Sequence, residues 1–215
     1  MTIYPERMLE NPHYLFSPAI KGVILKGLEE VIGQSDTDVV LKMSGLPQLG
    51  ESNPIAGHKE LISYHDLTHI HSSLESLYGW RGGQGVAWKM GRAYFTIGLR
   101  TYGKKMGLLD LEYRLLPLSH KLKAGLQRFA RLMSWGGDST FRLEEDRRQY
   151  YWIIENCPFC WQRHADHPIC HTQVGMLQEY FYWASGGKNY NLKETQCIAA
   201  GAEACVIAID KQPFE

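Results

Sequence analysis

The first 156 residues contain no cysteine; all five follow, as Cys157, Cys160, Cys170, Cys197 and Cys205. That distribution excludes a disulfide framework spread over the chain and points to one site served by one region. An excess of charge of either sign is missing too. The 23 Lys and Arg balance the 23 Asp and Glu, so no basic surface for nucleic acid is expected. No apolar run approaches the ~18 residues of a membrane span. The opening Met1-Thr-Ile-Tyr-Pro-Glu6 lacks the charged-then-apolar pattern of a signal peptide. These absences predict a soluble, cytoplasmic protein, in which thiols stay reduced and an odd set of five favours metal binding or redox chemistry.

Nucleotide loops are absent as well. Gly83 and Gly85 begin a dinucleotide fingerprint, but Trp88 stands where its third glycine belongs, and Lys89 follows tryptophan rather than glycine. His65 and His69 are four apart and share a helix face, yet no glutamate completes a zinc-protease arrangement; the acid between them is Asp66. The pair is read as surface. Internal repeats and low-complexity segments are lacking.

What is present suffices for a substantial core: 215 residues, 44% hydrophobic, with 12 Tyr, 7 Phe and 6 Trp. Such an aromatic supply builds ordinary core and can also line a pocket for an apolar ligand. The chain is read as a helical segment, 1–57, packed on a main domain, 58–215.

Residues 1–16 read as irregular. Ser17-Pro18 opens a helix carrying Ile20, Val23, Ile24, Leu28 and Val31, and Gly33 stops it. A shorter helix from Ser35 carries Val39, Val40 and Met43, and 47–57 is a loop. Residues 58–78 form a helix with Tyr64, Leu67, Ile70, Leu74 and Leu77 at helical spacing. A glycine-rich link, Gly79 to Gly85, leads to a helix over 84–102 with Val86, Met90, Tyr94 and Ile97. Gly91 and Gly98 lie nearly on one face of it, marking either close helix packing or room for a ligand. Pro117 starts a helix with Leu122, Leu126, Phe129 and Met133 inward and Lys121, Lys123, Arg128 and Arg131 on a solvated face; Trp135-Gly-Gly-Asp138 ends it. Two strands follow, from Thr140 and over Gln149–Glu155. After the cysteine-rich link 157–171, Thr172 caps a helix bearing Val174, Leu177, Phe181 and Ala184. Helices first, then hairpin, helix and hairpin, indicate α+β with an antiparallel sheet.

The last hairpin, with Gly201 midway between Cys197 and Cys205, sets those two thiols opposite each other. Opposed residues on an antiparallel pair have Cβ atoms roughly 4.5–5.5 Å apart, a separation that suits two thiolates on one metal ion. His164, His167 and His171 lie in or beside the same link, where they substitute for a ligand or surround the site.

Glu194-x-x-Cys197, Gly201 and Cys205-Val-Ile-Ala-Ile209, preceded by Cys170, Gly175, a helix and the Gly186-Gly187 break, resemble the end of the 4-vinyl reductase domain. The resemblance is clearest over about 85–210 and includes the helix with Gly91-Arg92. It implies a fold related to vesicle-tethering transport subunits and distantly to haem nitric-oxide-binding domains. It also implies relatives that bind hydrocarbons or phenols, or take part in bacteriochlorophyll biosynthesis. By the same resemblance, zinc is held by Cys170, Glu194, Cys197 and Cys205 beside an apolar pocket. For Glu194 and Cys197, three apart, to share an ion, the strand needs a bulge. Cys157 and Cys160 are extra to that set, and with Cys197 and Cys205 they offer an all-cysteine alternative.

The leading expectation is therefore a zinc-stabilised sensor or carrier domain for a small hydrophobic or aromatic molecule. Its ligand-binding residues are drawn from Gly91, Tyr94, Phe95, Gly98, Trp152, Tyr180 and Phe181, around an apolar cavity between helix 84–102 and the sheet. Two alternatives stand beside it. One is an enzyme or accessory factor in tetrapyrrole vinyl reduction, although no nicotinamide or flavin fingerprint is visible. The other is an iron–sulfur protein using Cys157, Cys160, Cys170 and one more cysteine. Partners are limited to the small molecule and, at most, a second copy in a homodimer. The chain ends soon after the domain, so it is expected to act alone or through another protein.

Overall fold

The structure, a computed structural model, describes residues 18–49, 62–135 and 138–214. The readings made for 1–17, for the 50–57 part of the loop, for the first residues of the 58–78 helix and for Gly136 and Gly137 lie outside it. Helix α1 spans Pro18–Met43 and α2 spans Tyr64–Tyr102. A short turn α3, Leu111–Arg114, and α4, Leu118–Trp135, follow. Strands β1 (Thr140–Glu145) and β2 (Gln149–Glu155), helix α5 (His171–Ser185), and strands β3 (Asn189–Gln196) and β4 (Cys205–Phe214) complete the fold. The sheet has the order β1-β2-β4-β3 and is antiparallel throughout, the α+β arrangement expected. Among the described residues no helix is long and apolar enough to cross a membrane.

Both long helices are interrupted by a glycine in extended, positive-φ backbone: Gly33 in α1 (φ 76°, ψ 166°) and Gly79 in α2 (φ 73°, ψ 162°). Few other residues adopt that conformation cheaply. The expected stop at Gly33 is therefore a single-residue break. The expected link from Gly79 to Gly85 contracts in the same way to Gly79 alone, with helix resuming at Trp80. At its start α2 carries a capping box. The Asp66 amide donates to the Ser63 hydroxyl at 3.1 Å, and the Ser63 amide donates to the Asp66 carboxylate at 2.8 Å. That fixes the helix start at Tyr64.

The apolar stripes hold with three adjustments. In the second half of α1 the inward positions are Thr37, Val40 and Leu41, followed by Ser44 just past its end, while Val39 and Met43, four apart, face solvent. Leu77 at the end of the first half of α2 is likewise exposed. On α4, Arg128 is not simply solvated: its guanidinium lies 5.0 Å above the Tyr113 ring and donates to the Gly107 carbonyl.

Helices α2 and α5 cross with backbone against backbone. A Cβ added to Gly91 would lie 1.9 Å from the Thr172 carbonyl oxygen, and one added to Gly175 would lie 2.0 Å from that of Trp88. No side chain fits at either position. The crossing sets the start of α5, and hence Cys170, against the first half of α2, where Thr172 Oγ1 meets His71 Nε2 at 2.9 Å.

Candidate metal centre

Four chain segments converge at one end of the sheet. The register pairs Ile154 of β2 with Cys205 of β4, so the chain leaving β2 passes beside the start of β4. It turns there through Cys157-Pro-Phe-Cys160, a loop bracketed by Asn156 and Gln162 in left-handed backbone (φ 52° and 55°). Cys170 stands at the N-cap of α5, where helix amides favour a thiolate. On β3 the pairing shifts between Glu194, opposite Ile207, and Gln196, opposite Val206. This is the irregularity needed to turn Glu194 and Cys197 toward one point. Past Cys197 a short helical turn, Ile198–Ala200, and Gly201 at φ 95° bring the chain back to Cys205.

All five thiols are free and buried. Cys170, Cys197 and Cys205 form a nearly regular triangle, with Sγ–Sγ distances of 3.9, 3.8 and 3.9 Å. A tetrahedral zinc with Zn–S bonds near 2.3 Å has ligand–ligand edges of about 3.8 Å. Cys157 lies 3.6 Å from Cys170, and Cys160 lies 3.4 Å from Cys205. Among the described residues, two groups have all ligand atoms within 4.8 Å of one another: Cys170, Glu194, Cys197 and Cys205, and Cys157, Cys160, Cys170 and Cys205. The all-cysteine alternative expected from spacing, with Cys197 in place of Cys170, is not among them, because the N-cap of α5 projects Cys170 into the middle of the cluster.

Glu194 supplies the observation most specific to a cation. One carboxylate oxygen accepts the Cys170 amide at 2.8 Å. The other, Oε1, is buried with no hydrogen-bond partner, on a residue only 7% exposed. Burial, with the charge of Cys197, pushes the Glu194 carboxyl up to about 9. Burial likewise pushes Cys157 up to about 12 and Cys170 well above the ordinary thiol value. Thiol donation from Cys157 and Cys170, with Cys197 and Cys205, pulls Cys160 well below it. Five thiols and a carboxyl in a dry space oppose one another's ionisation, and a divalent ion removes that conflict by favouring every ionised form. The Ile198 amide donates to Cys205 Sγ at 3.3 Å, support suited to a thiolate.

The histidines stay outside both groups. His65 and His69 are exposed, with rings 4.0 Å apart. His167 packs on Trp80 at 5.2 Å. His71 is buried between Thr172 and Phe159. Burial, with the charge of Arg163, lowers it to about 3, so it is neutral.

The ligand candidates separate into two places. Phe95, Trp152, Tyr180 and Phe181 belong to one chain of rings: Phe95–Tyr180 at 5.8 Å, Tyr180–Phe181 at 5.4 Å, and Phe129 linking Phe95 (6.2 Å) to Trp152 (5.7 Å). Phe129 of α4 thus fills the interval where a cavity was expected. Tyr94 faces α1 instead, where a Cβ on Gly27 would lie 2.3 Å from its ring. The room sought beside Gly91 is taken by α5 backbone, whereas nothing lies within 4 Å of a Cβ at Gly98. Among the polar atoms in this interior buried without partners are Trp152 Nε1 and the hydroxyls of Tyr94 and Tyr190, the last beside Phe181. A groove lined by Glu30 and Val31 of α1, Lys89, Arg92, Ala93 and Thr96 of α2 and Glu179 of α5 carries charges of both signs.

Over 92% of this chain and 96% of the other, the fold matches an unliganded Fe(II) H-NOX protein from K. algicida at TM-score 0.59 and 12% identity. An H-NOX protein from S. oneidensis in the Fe(II)NO ligation state matches at TM-score 0.62 and 11% identity, covering 93% and 99%. At these identities the likeness is one of fold. No curated protein matches the sequence. The family model of the 4-vinyl reductase domain matches residues 151–211, the stretch from β2 to β4 that contains all five cysteines, and so the resemblance read from Cys170, Glu194, Cys197 and Cys205 is that of a 4-vinyl reductase domain.

Proposed function

We propose that this chain is a small-molecule-binding sensor or carrier domain whose sheet end is held by zinc, with Cys170, Glu194, Cys197 and Cys205 as ligands. The unpartnered Oε1 of Glu194 beside a thiol triangle of tetrahedral dimensions carries the metal part of this reading. Four protein ligands close the coordination sphere, which makes the ion structural. The zinc supplies folding free energy; Cys170 and Glu194 tie α5 to β3, and Cys197 and Cys205 close the β3–β4 turn.

The ligand part rests on the match to the 4-vinyl reductase domain, on the sensor-type fold, and on Trp152 Nε1, a buried donor without a partner inside a cluster of rings. The ligand is proposed to be a hydrophobic or aromatic molecule with one hydrogen-bond acceptor, bound among Phe95, Trp152, Tyr180 and Phe181, with Gly98 offering adjacent room and Tyr94 behind α2. Gly91 serves the helix crossing. Because Phe129 fills the interval between Phe95 and Trp152, uptake of even a phenol-sized ligand requires these rings to repack. Haem, the group named for the H-NOX family, is not favoured by the described residues. His71 is the most buried of the described histidines and its Nε2 is engaged with Thr172, while His167 packs on Trp80 and His171 starts α5 beside the cysteine cluster, so none of the described imidazoles is among these rings.

Thermal shifts against phenols, fatty acids and porphyrins test the reading. A ligand at 100-fold its Kd adds about 2.7 kcal/mol to stability by mass action. A shift with phenols and none with porphyrins is expected. No shift with any class, in protein shown by native mass spectrometry to carry no small molecule, would overturn it.

A further inference from the structure

The two candidate ligand groups are not rivals in space: they share an edge. Cys170 and Cys205 belong to both. Cys157 and Cys160 complete one tetrahedron, and Glu194 and Cys197 complete the other. Six ligands with two in common are the number that two four-coordinate ions need when two thiolates bridge them. We propose that this chain holds a binuclear zinc–thiolate centre, with Cys170 and Cys205 bridging, Glu194 and Cys197 terminal on one ion, and Cys157 and Cys160 terminal on the other. The proposal rests on the zinc reading above and adds a second ion to it.

Geometry supports the sharing. The common edge, Cys170–Cys205, measures 3.8 Å, the ligand–ligand edge of about 3.8 Å that tetrahedral zinc–sulfur bonds give. The second group's terminal thiols each approach a different bridging sulfur, Cys157 toward Cys170 at 3.6 Å and Cys160 toward Cys205 at 3.4 Å. Each therefore sits near a tetrahedral edge from one member of the shared pair, and within 4.8 Å of the other. With a single ion in the Glu194 group, Cys157 and Cys160 would be two further buried thiols crowded against thiolates already bound to zinc. Charge gives the same preference. One zinc with three thiolates and a carboxylate carries a net −2; two zinc ions with five thiolates and the carboxylate also carry −2. The second ion is thus accommodated without adding net charge to the buried site, the two extra thiol protons leaving as it binds.

Metal content and metal–metal coupling test this. Protein expressed in zinc-replete medium and purified without chelator is expected to contain two zinc ions per chain by native mass spectrometry. The double variant Cys157→Ser/Cys160→Ser, and separately Glu194→Gln, should each fall to one. In wild-type protein reconstituted with cobalt(II), ions bridged by thiolates couple magnetically, so the EPR intensity per cobalt should drop as the second equivalent binds. One zinc per chain at saturation overturns the binuclear centre and leaves the zinc reading intact. No zinc in folded protein overturns both. Two cobalt ions with undiminished EPR intensity overturn the bridging, and acid-labile sulfide with visible colour replaces the centre with an iron–sulfur cluster.

Discussion

A single buried oxygen, Glu194 Oε1, is what favours the proposed metal ligand over an ordinary core carboxyl here. Its companion oxygen caps the start of α5 through the Cys170 amide, while Oε1 has no partner, and an unsatisfied buried carboxylate is expensive unless a cation meets it. Cys170 and Cys205 stand in both ligand groups, so Cys170→Ser or Cys205→Ser is expected to abolish tight zinc binding and to remove at least about 2.7 kcal/mol at free zinc 100-fold above Kd. Elemental analysis and denaturant unfolding of each variant check this; a zinc-free variant of undiminished stability would contradict it. The glycines of α2 make a second contrast at this scale. Gly98→Ala adds a methyl to open space in a helix and is expected to stabilise by about 0.5–1 kcal/mol. Gly91→Ala drives a methyl into the Thr172 carbonyl and is expected to cost about 1–3 kcal/mol. Similar stabilities for the two variants would mean that the α2–α5 crossing is looser than the structure has it.

Between elements, the joint that holds α5 to α2 is partly polar, and that makes it sensitive to pH. His71 reaches Thr172 across the crossing and is lowered from 6.5 to about 3, chiefly by burial. The folded state keeps the ring neutral while the unfolded chain protonates it below 6.5. The stability His71 contributes is therefore intact above that value and is lost as pH falls, at about 1.4 kcal/mol per unit until about pH 3. Urea unfolding of wild type and His71→Asn at pH 5.5 and 4.5 should show that much extra loss in the wild type; parallel losses would refute the assignment. Much at this scale was legible in the sequence. Gln149–Glu155 is dense in β-formers, Gly33 punctuates α1, and the spacing Cys197–Gly201–Cys205 announces a turn with opposed thiols. What was not legible depends on neighbours far away in the chain. Whether Gly91 leaves a hole or admits a helix is decided by Thr172, eighty-one residues later. Val39 and Met43 fit an apolar stripe as well as Val40 and Leu41 do, and only packing against α2 selects the latter pair. Which thiols come together follows in part from the Ile154–Cys205 register, which no spacing along the chain encodes.

Across the whole molecule, the match to the 4-vinyl reductase domain covers only residues 151–211, whereas the fold likeness extends over more than nine-tenths of the chain, helices α1 and α2 included. The core follows the larger unit. Ile24, Leu28, Val40 and Leu41 of α1 belong to the same buried cluster as Trp152, Cys170 and Ile209, and Gly27 of α1 lies flat against the Tyr94 ring. A division near residue 57 is accordingly proposed as a boundary of sequence, not of folding. Removing residues 1–57 would take Ile24, Leu28, Val40 and Leu41 out of that cluster and uncover the Tyr94 ring, and losing the burial of large apolar side chains costs about 1.5–3 kcal/mol each. Set against a typical stability of 5–15 kcal/mol, that sum removes most or all of the margin. The fragment 58–215 is expected to be unfolded or molten even when saturated with zinc. The full chain is expected to unfold in one transition, with near-ultraviolet dichroism of the ring cluster and zinc release tracking each other. Two resolved transitions, or a fragment with native-like dichroism and bound zinc, would show instead that the sheet with its metal centre folds as an independent unit.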